Sequence, residues 1–326
     1  MRTPTPDFKR LTTVTDYTRF YGLPAPAHPL LTVVNLAQLP LPAALAATTP
    51  VVQGLYSVSL KRNLRNASLR YGRQLYDFSE GTMSFLAPGQ GCWVEEPPAA
   101  VAPADLSAYV AALRAELSGW LLVFHPDLLR KYPLAQKIAG YGFFTYQVHE
   151  ALHLSAQEED LLEGLLRGIR GEYERPIDAF SQEVIVTQLD VLLTYANRFY
   201  HRQFLTRRAA EPDQISRFEA LLSAHFAAET AQPLPTVQHF ADALSISAAY
   251  LSDLLRTCTG QTAQQHLHRV LIEKAKQLLL NTSLSVNETA FQLGFDYPQY
   301  FSRLFKRKTG ATPVAFRRAG HSPKRS

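Results

Sequence analysis

In the last third of the chain the apolar residues recur at helical spacing, and the pattern occurs twice. Val286, Ala290 and Leu293 follow one another at steps of four and three, and Ser285 with Glu288 predicts a capping box that opens this helix. Gly294 supplies a left-handed stop, and a short turn leads to a second helix that buries Phe301, Leu304 and Phe305 on one stripe. The opposite side of that helix then projects Gln299, Ser302, Arg303, Lys306 and Arg307, with Tyr297 at its start. An earlier copy aligns with it at about fifty residues. Leu251-Ser252-Asp253-Leu254-Leu255-Arg256 matches Phe301-Ser302-Arg303-Leu304-Phe305-Lys306, and Tyr250, Gly260 and Thr262 match Tyr300, Gly310 and Thr312. Upstream, Val237, Ala241, Leu244 and Ile246 match Val286, Ala290, Leu293 and Phe295 at a separation of 49, so the second copy has one extra residue in its turn. In the first copy the projecting positions are Ala249, Ser252, Asp253 and Arg256, with Ser247 at the start. Each copy reads as helix, turn, helix. A periodic segment from Ala263 to Leu280, with Leu267, Leu271, Ala275, Leu278 and Leu279 on one face, predicts a connecting helix of roughly 27 Å.

The first half has a different period. Short alternating runs at Leu31 to Leu36, Val51 to Leu60, Ser68 to Tyr71, Leu75 to Phe78, Met83 to Ala87 and Leu121 to Phe124, punctuated by Gly, Pro and Asn, predict a β-sandwich or small barrel. Phe144, Tyr146, Val148, Leu152 and Leu154 also alternate as a strand, and Ser155 with Glu158 predicts the cap of a following helix. His149-Glu150-Ala151-Leu152-His153 fits H-E-x-x-H, but that zinc motif needs a helix to bring both imidazoles to one face, and the alternation predicts a strand. The remaining histidines here, His28 and His125, are isolated, so no metal-ligand set is expected. Tyr56, Tyr71, Tyr76, Phe85 and Trp93 read either as pocket lining or as core. Two helical stretches follow, split at Gly171 to Pro176. The second places Ile185, Leu189, Leu192, Ala196 and Phe199 at alternating steps of four and three, a seam for a dimer or for packing on its own domain. Thr206 to Gln214, polar and containing Pro212, is the expected linker.

A length of 326 residues fits two compact units, and 46% hydrophobic with 19% charged residues excludes wholesale disorder. Cys92 and Cys258 lie too far apart for a cysteine zinc module, and two cysteines give no disulfide framework, as expected in a reducing cytosol. No signal peptide is expected, and the apolar stretch Leu30 to Ala47, broken by Asn35, Gln38, Pro40 and Pro42, is not expected to span a membrane. Charge is uneven: residues 261–326 hold 11 Lys/Arg against 3 Asp/Glu, whereas residues 1–260 hold 22 against 25. A basic C-terminal surface points to nucleic acid.

The second copy, with Ala290, Leu293-Gly294-Phe295, Tyr300 to Lys306, Thr309-Gly310, Thr312-Pro313 and Phe316-Arg317, resembles the AraC/XylS family of bacterial transcription regulators. Leu271 stands where the family often has arginine, and Phe316 where tyrosine is more frequent. The resemblance implies an α+β multidomain chain. A cupin-like jelly-roll β-barrel sensor is expected at 1–154, a helical dimerisation region at 155–205, a linker at 206–214, an all-α domain with two helix-turn-helix motifs at 215–318, and a basic tail at 319–326. The implied partners are double-stranded DNA and a second copy of the chain, with RNA polymerase and a small-molecule effector open as further ones; no cofactor is expected. DNA contacts are expected from Ser247, Ala249, Ser252, Asp253, Arg256, Tyr297, Gln299, Ser302, Arg303, Lys306 and Arg307, with Arg303, Lys306 and Arg307 dominating the salt-dependent part. Two other readings compete: a metal-dependent cupin enzyme with a DNA-binding tail, and an architectural DNA-binding protein that recognises backbone charge without an effector.

Overall fold

The computed structural model describes residues 9–38, 51–62, 81–92, 118–147, 150–210, 213–227 and 232–321. The chain divides into two compact units, Met1–Gln203 and Phe204–Ser326.

In the first unit the strands form two separate sheets. The smaller has the order β1 (Lys9–Leu11), β3 (Val51–Gln53), β6 (Gly91–Cys92); the larger has the order β2 (Leu31–Asn35), β7 (Ser118–Phe124), β4 (Tyr56–Arg62), β5 (Thr82–Leu86), β8 (Leu152–His153). The larger sheet is antiparallel throughout, with Val58 opposite both Phe85 and Leu122 at its centre. Among the described residues no closed barrel forms. The predicted run Val51 to Leu60 is two strands in different sheets, because Gly54 and Leu55 turn the chain between them. Expected strands at Ser68 to Tyr71 and Leu75 to Phe78 lie outside the described residues.

Helix α1 (Val14–Phe20) starts at Thr13, whose hydroxyl accepts from Asp16 N–H, and its Val14 and Tyr17 join Leu11, Val51, Leu55 and Val123 in one apolar cluster. A short helix, α2 (Leu134–Lys137), precedes the turn Gly142–Thr145. That turn corrects the strand expected from Phe144 onward: Phe143 and Phe144 are buried against Phe85, so their spacing reflects packing into an aromatic core and not a pleat. Phe85 is therefore core, while Tyr56 stacks on Phe124 at 5.1 Å; Tyr71, Tyr76 and Trp93 lie outside the described residues.

Helix α3 (Ala156–Tyr173) opens with the expected capping box of Ser155 and Glu158, and runs through Gly171 before breaking. It packs on β2 and β7. There Glu163, buried, accepts from Trp120 Nε1–H at 3.1 Å and pairs with Arg62 and Arg167. Burial raises its carboxyl pKa, but the hydrogen bonds from Trp120 and Arg62 outweigh this and hold it below the ordinary value.

Helix α4 (Ser181–Ala210) corrects the seam assignment. Ile185, Leu189, Leu192, Ala196 and Phe199 are all buried within the single chain, so no second copy can reach them, and the stripe belongs to the protein's own core. Among the described residues, the large apolar side chains left exposed on this helix and in the segment just before it are Ile177, Phe180, Val184, Val191 and Leu205. In the stretch expected as linker, α4 continues to Ala210 and α5 (Asp213–Ala227) follows, so residues 206–210 and 213–214 are helical.

The second unit continues with α6 (Val237–Ala243), α7 (Ala248–Thr259), α8 (Ala263–Asn281), α9 (Val286–Gln292), α10 (Pro298–Thr309) and α11 (Pro313–His321). Helix α8 is central and packs on α5, α6, α7, α9 and α11. Its nineteen residues span about 28 Å. Leu267, Leu271, Ala275, Leu278 and Leu279 are buried as the periodicity predicts, which makes Leu271 a core residue. Since α11 extends to His321, the expected tail at 319–326 starts inside a helix.

Candidate nucleic-acid interface

The two motifs, α6–α7 and α9–α10, share the hydrogen bonds that start the first helix, close the turn and stop the second helix. Each first helix opens on a hydroxyl: Thr236 accepts from His239 N–H at 3.1 Å and Ser285 from Glu288 N–H at 3.1 Å. Each turn closes on the same amide bond, Ile246 N–H to Ala241 O and Phe295 N–H to Ala290 O, both 3.0 Å. Each second helix stops at a left-handed glycine, with Gly260 N–H donating to Arg256 O and Gly310 N–H to Lys306 O at 2.9 Å. Thr259 and Thr309 then cap the same way, each hydroxyl donating to the carbonyl four residues back. The extra residue in the second copy is Asp296, between Phe295 and Tyr297.

The insertion changes how the recognition helix starts. Ser247 caps α7 by accepting from Tyr250 N–H at 3.1 Å and is itself buried. Its structural role is capping. Tyr297 occupies the corresponding place before α10 but makes no side-chain cap, and Pro298 at the first helical position takes over by presetting φ. Tyr297 is thereby left exposed.

On α7, Ala249, Ser252 and Asp253 are half-buried and Arg256 is exposed, with its Nη1 3.2 Å from Asp253 Oδ1. That pair cancels the charge of the helix's outer face. On α10, Gln299, Arg303, Lys306 and Arg307 are exposed and Ser302 half-buried. Among the described residues no carboxylate pairs with Arg303, Lys306 or Arg307. Arg303 stacks over the Tyr300 ring at 5.6 Å. Asn287, Phe291, Pro298, Gln299, Ser302 and Arg303 line one shallow cleft between α9 and α10. The periodic stripe of α9 missed Phe291 and Asn287, although Phe291 is an aromatic out of phase with Val286, Ala290 and Leu293, and that was the available signal.

Gly294 is required by space as well as by conformation. Its φ is +86°, and a Cβ there would stand 2.3 Å from Gln232 O and 2.5 Å from Leu234 N. The first copy has Ser245 at this place with φ +58°, the sole non-glycine with positive φ among the described residues.

The histidines singled out in the first unit have local hydrogen-bonding roles. His28 Nδ1 accepts from Leu30 N–H and His125 Nδ1 from Asp127 N–H, both at 3.1 Å, so each orders its own turn. Of the H-E-x-x-H run, Leu152–His153 is strand β8, Glu150 is buried and accepts from Gln147 N–H, and His149 lies outside the described residues. Among the described residues no three metal-ligating side chains cluster, and no helix is long and apolar enough to cross a membrane.

Residues 240–319 match a family described as a helix-turn-helix domain. The chain is similar to the HTH-type transcriptional activator RhaR of Cronobacter sakazakii, 40% identical over 81 residues that make up 25% of this chain and 29% of that protein. It is similar also to the HTH-type transcriptional activator RhaS of Salmonella arizonae, 31% identical over 182 residues, 55% of this chain and 59% of that one. The matched region thus spans less than two thirds of either relative. Among solved structures, the C-terminal domain of AraT, a response regulator from Geobacillus stearothermophilus, shares 29% identity at a TM-score of 0.31, covering 35% of this chain and 91% of that domain.

Proposed function

We propose that this chain, whose residues 240–319 match a helix-turn-helix domain, is a DNA-binding transcription regulator of the AraC/XylS kind whose two motifs enter successive major-groove segments on one side of a duplex. The observation that carries the reading is the pair of turns with matching hydrogen bonds, both packed on the single helix α8. A strut of about 28 Å suits two recognition helices placed near the roughly 34 Å spacing of major-groove faces. Arg303, Lys306 and Arg307 supply the charge behind the salt-dependent part of binding, Lys306 and Arg307 directed at phosphate and Arg303 at a base edge with Ala249, Ser252 and Gln299.

The first unit is proposed as a cupin-like sensor that biases DNA engagement when a small effector binds. It forms a compact unit of its own, distinct from the helix-turn-helix domain, as a sensor requires, and the structural tasks of His28 and His125 speak against a metal-dependent enzyme. The proposal extends to a homodimer, with Phe180, Val184 and Val191 as the face available for it. RNA polymerase is the further partner of a regulator of this kind.

Selection of bound duplexes from a random pool, followed by footprinting of the winner, tests the reading. Two protected segments one helical turn apart on one face are expected. An architectural protein would instead bind the selected and random duplexes alike at fixed salt.

A further inference from the structure

We infer that Phe291 reads the C5-methyl group of a thymine in the major groove, beside the base contacts made by Gln299 and Arg303. The inference rests on the DNA-binding reading above. Phe291 is 53% exposed on α9, and Tyr297 and Tyr300 are 57% and 55% exposed on the adjoining turn and helix. Tyrosine has a polar tip to keep in water; phenylalanine has none, so the half-exposed Phe291 ring offers an apolar surface within a polar cleft. The corresponding residues of the first copy are Asp242, bonded to Gln238, the capping Ser247, and Tyr250, which is 1% exposed. The aromatic surface is therefore a property of the second motif and not of the shared scaffold.

Its surroundings identify the partner. Phe291 lines the same shallow cleft as Gln299, Ser302 and Arg303, so whatever enters must match amide, hydroxyl, guanidinium and apolar ring together. Arg303, Lys306 and Arg307 make this face cationic, which favours a polyanion over an apolar protein surface. Within the major groove the thymine methyl is the apolar feature a base pair presents, next to the acceptors and donors that Arg and Gln recognise. Tyr300 holds the Arg303 guanidinium over its ring, so that the planar fork meets a base edge with less freedom to lose. The geometry thus suits a guanine or adenine edge with a thymine methyl within reach of Phe291.

The test uses the full chain and its selected duplex, with each thymine in turn replaced by deoxyuridine, which removes only the methyl. At one or two thymines in the segment protected by the second motif, wild-type affinity is expected to fall about four-fold, the equivalent of one buried carbon. Phe291→Ala should bind the thymine and uracil duplexes equally, while Arg303→Ala should lose affinity and keep the methyl dependence. Equal binding of every thymine and uracil pair by the wild type, or a methyl effect that survives in Phe291→Ala, overturns the inference and leaves the regulator reading standing. Absence of any selective duplex overturns both. The wild-type comparison needs no variant, so it stands whether or not Phe291→Ala folds as well.

Discussion

The two helix-turn-helix copies differ in almost nothing that builds them and in almost everything they present. Turn closure, glycine stops and threonine caps coincide, whereas the outer face of α7 pairs Asp253 with Arg256 and that of α10 leaves Arg303, Lys306 and Arg307 unpaired among the described residues. Backbone hydrogen bonds set the scaffold, and the side chains that point away from it differ between the copies. On the reading proposed above, the second copy serves charge-driven attachment and the first discrimination with little net charge.

The largest effect expected from breaking this comparison is at Gly294. Gly294→Ala places a Cβ against the Gln232–Leu234 backbone in a left-handed conformation, and should destabilise the domain by about 2–4 kcal/mol, read by denaturant melts. Next is the charged face. Arg303→Ala should weaken specific binding about tenfold or more, and Lys306→Ala should lower the slope of log affinity against log salt by about one; an unchanged slope removes Lys306 from the phosphate contacts. A smaller change is expected in the first copy, where Asp253→Asn releases Arg256 and should raise affinity about threefold at low salt, an advantage that disappears at high salt. Ser245→Gly, which relaxes the first copy's left-handed residue, should stabilise by about 1 kcal/mol in the same melts.

The smallest effect concerns pH. His266 is buried, bonded to Thr259 at the end of the first copy, and its pKa is lowered by burial and then by Arg269, with a partial opposing effect of Glu219. His225 is shifted the same way by burial and by His239. A lowered histidine pKa means the unfolded chain takes up the proton first, so stability is full above the ordinary value near 6.5 and declines as pH falls below it. The melting temperature should therefore drop between pH 7.5 and 5.5, and His266→Gln should reduce that drop; a flat profile for the native chain would exclude the linkage.

How much could be read in advance differs between the two units. The helical domain was legible because its signals are local: a capping box, a glycine stop and a stripe at steps of three and four each operate within a few residues. Local signals were insufficient for the first unit. Alternation placed β2, β5 and β7, but it also suggested a strand at Phe144, where the apolar residues instead enter an aromatic cluster. The stripe from Ile185 to Phe199 shows the same ambiguity, since periodicity reports that one face is apolar and is silent about what covers it.

Tyr250 and Tyr300 mark where sequence stops and structure begins. They align in the repeat and share the third position of their helices, yet Tyr250 is buried with Phe204 edge-on at 5.0 Å and Tyr300 is open. The amino-acid sequence alone determined the repeat, the caps and stops of its helices, and the basic bias of the C-terminal region, all of which depend on neighbours along the chain. Only the tertiary structure decided which faces are core and that Phe291 stands beside Arg303, because those depend on residues brought together from separate helices.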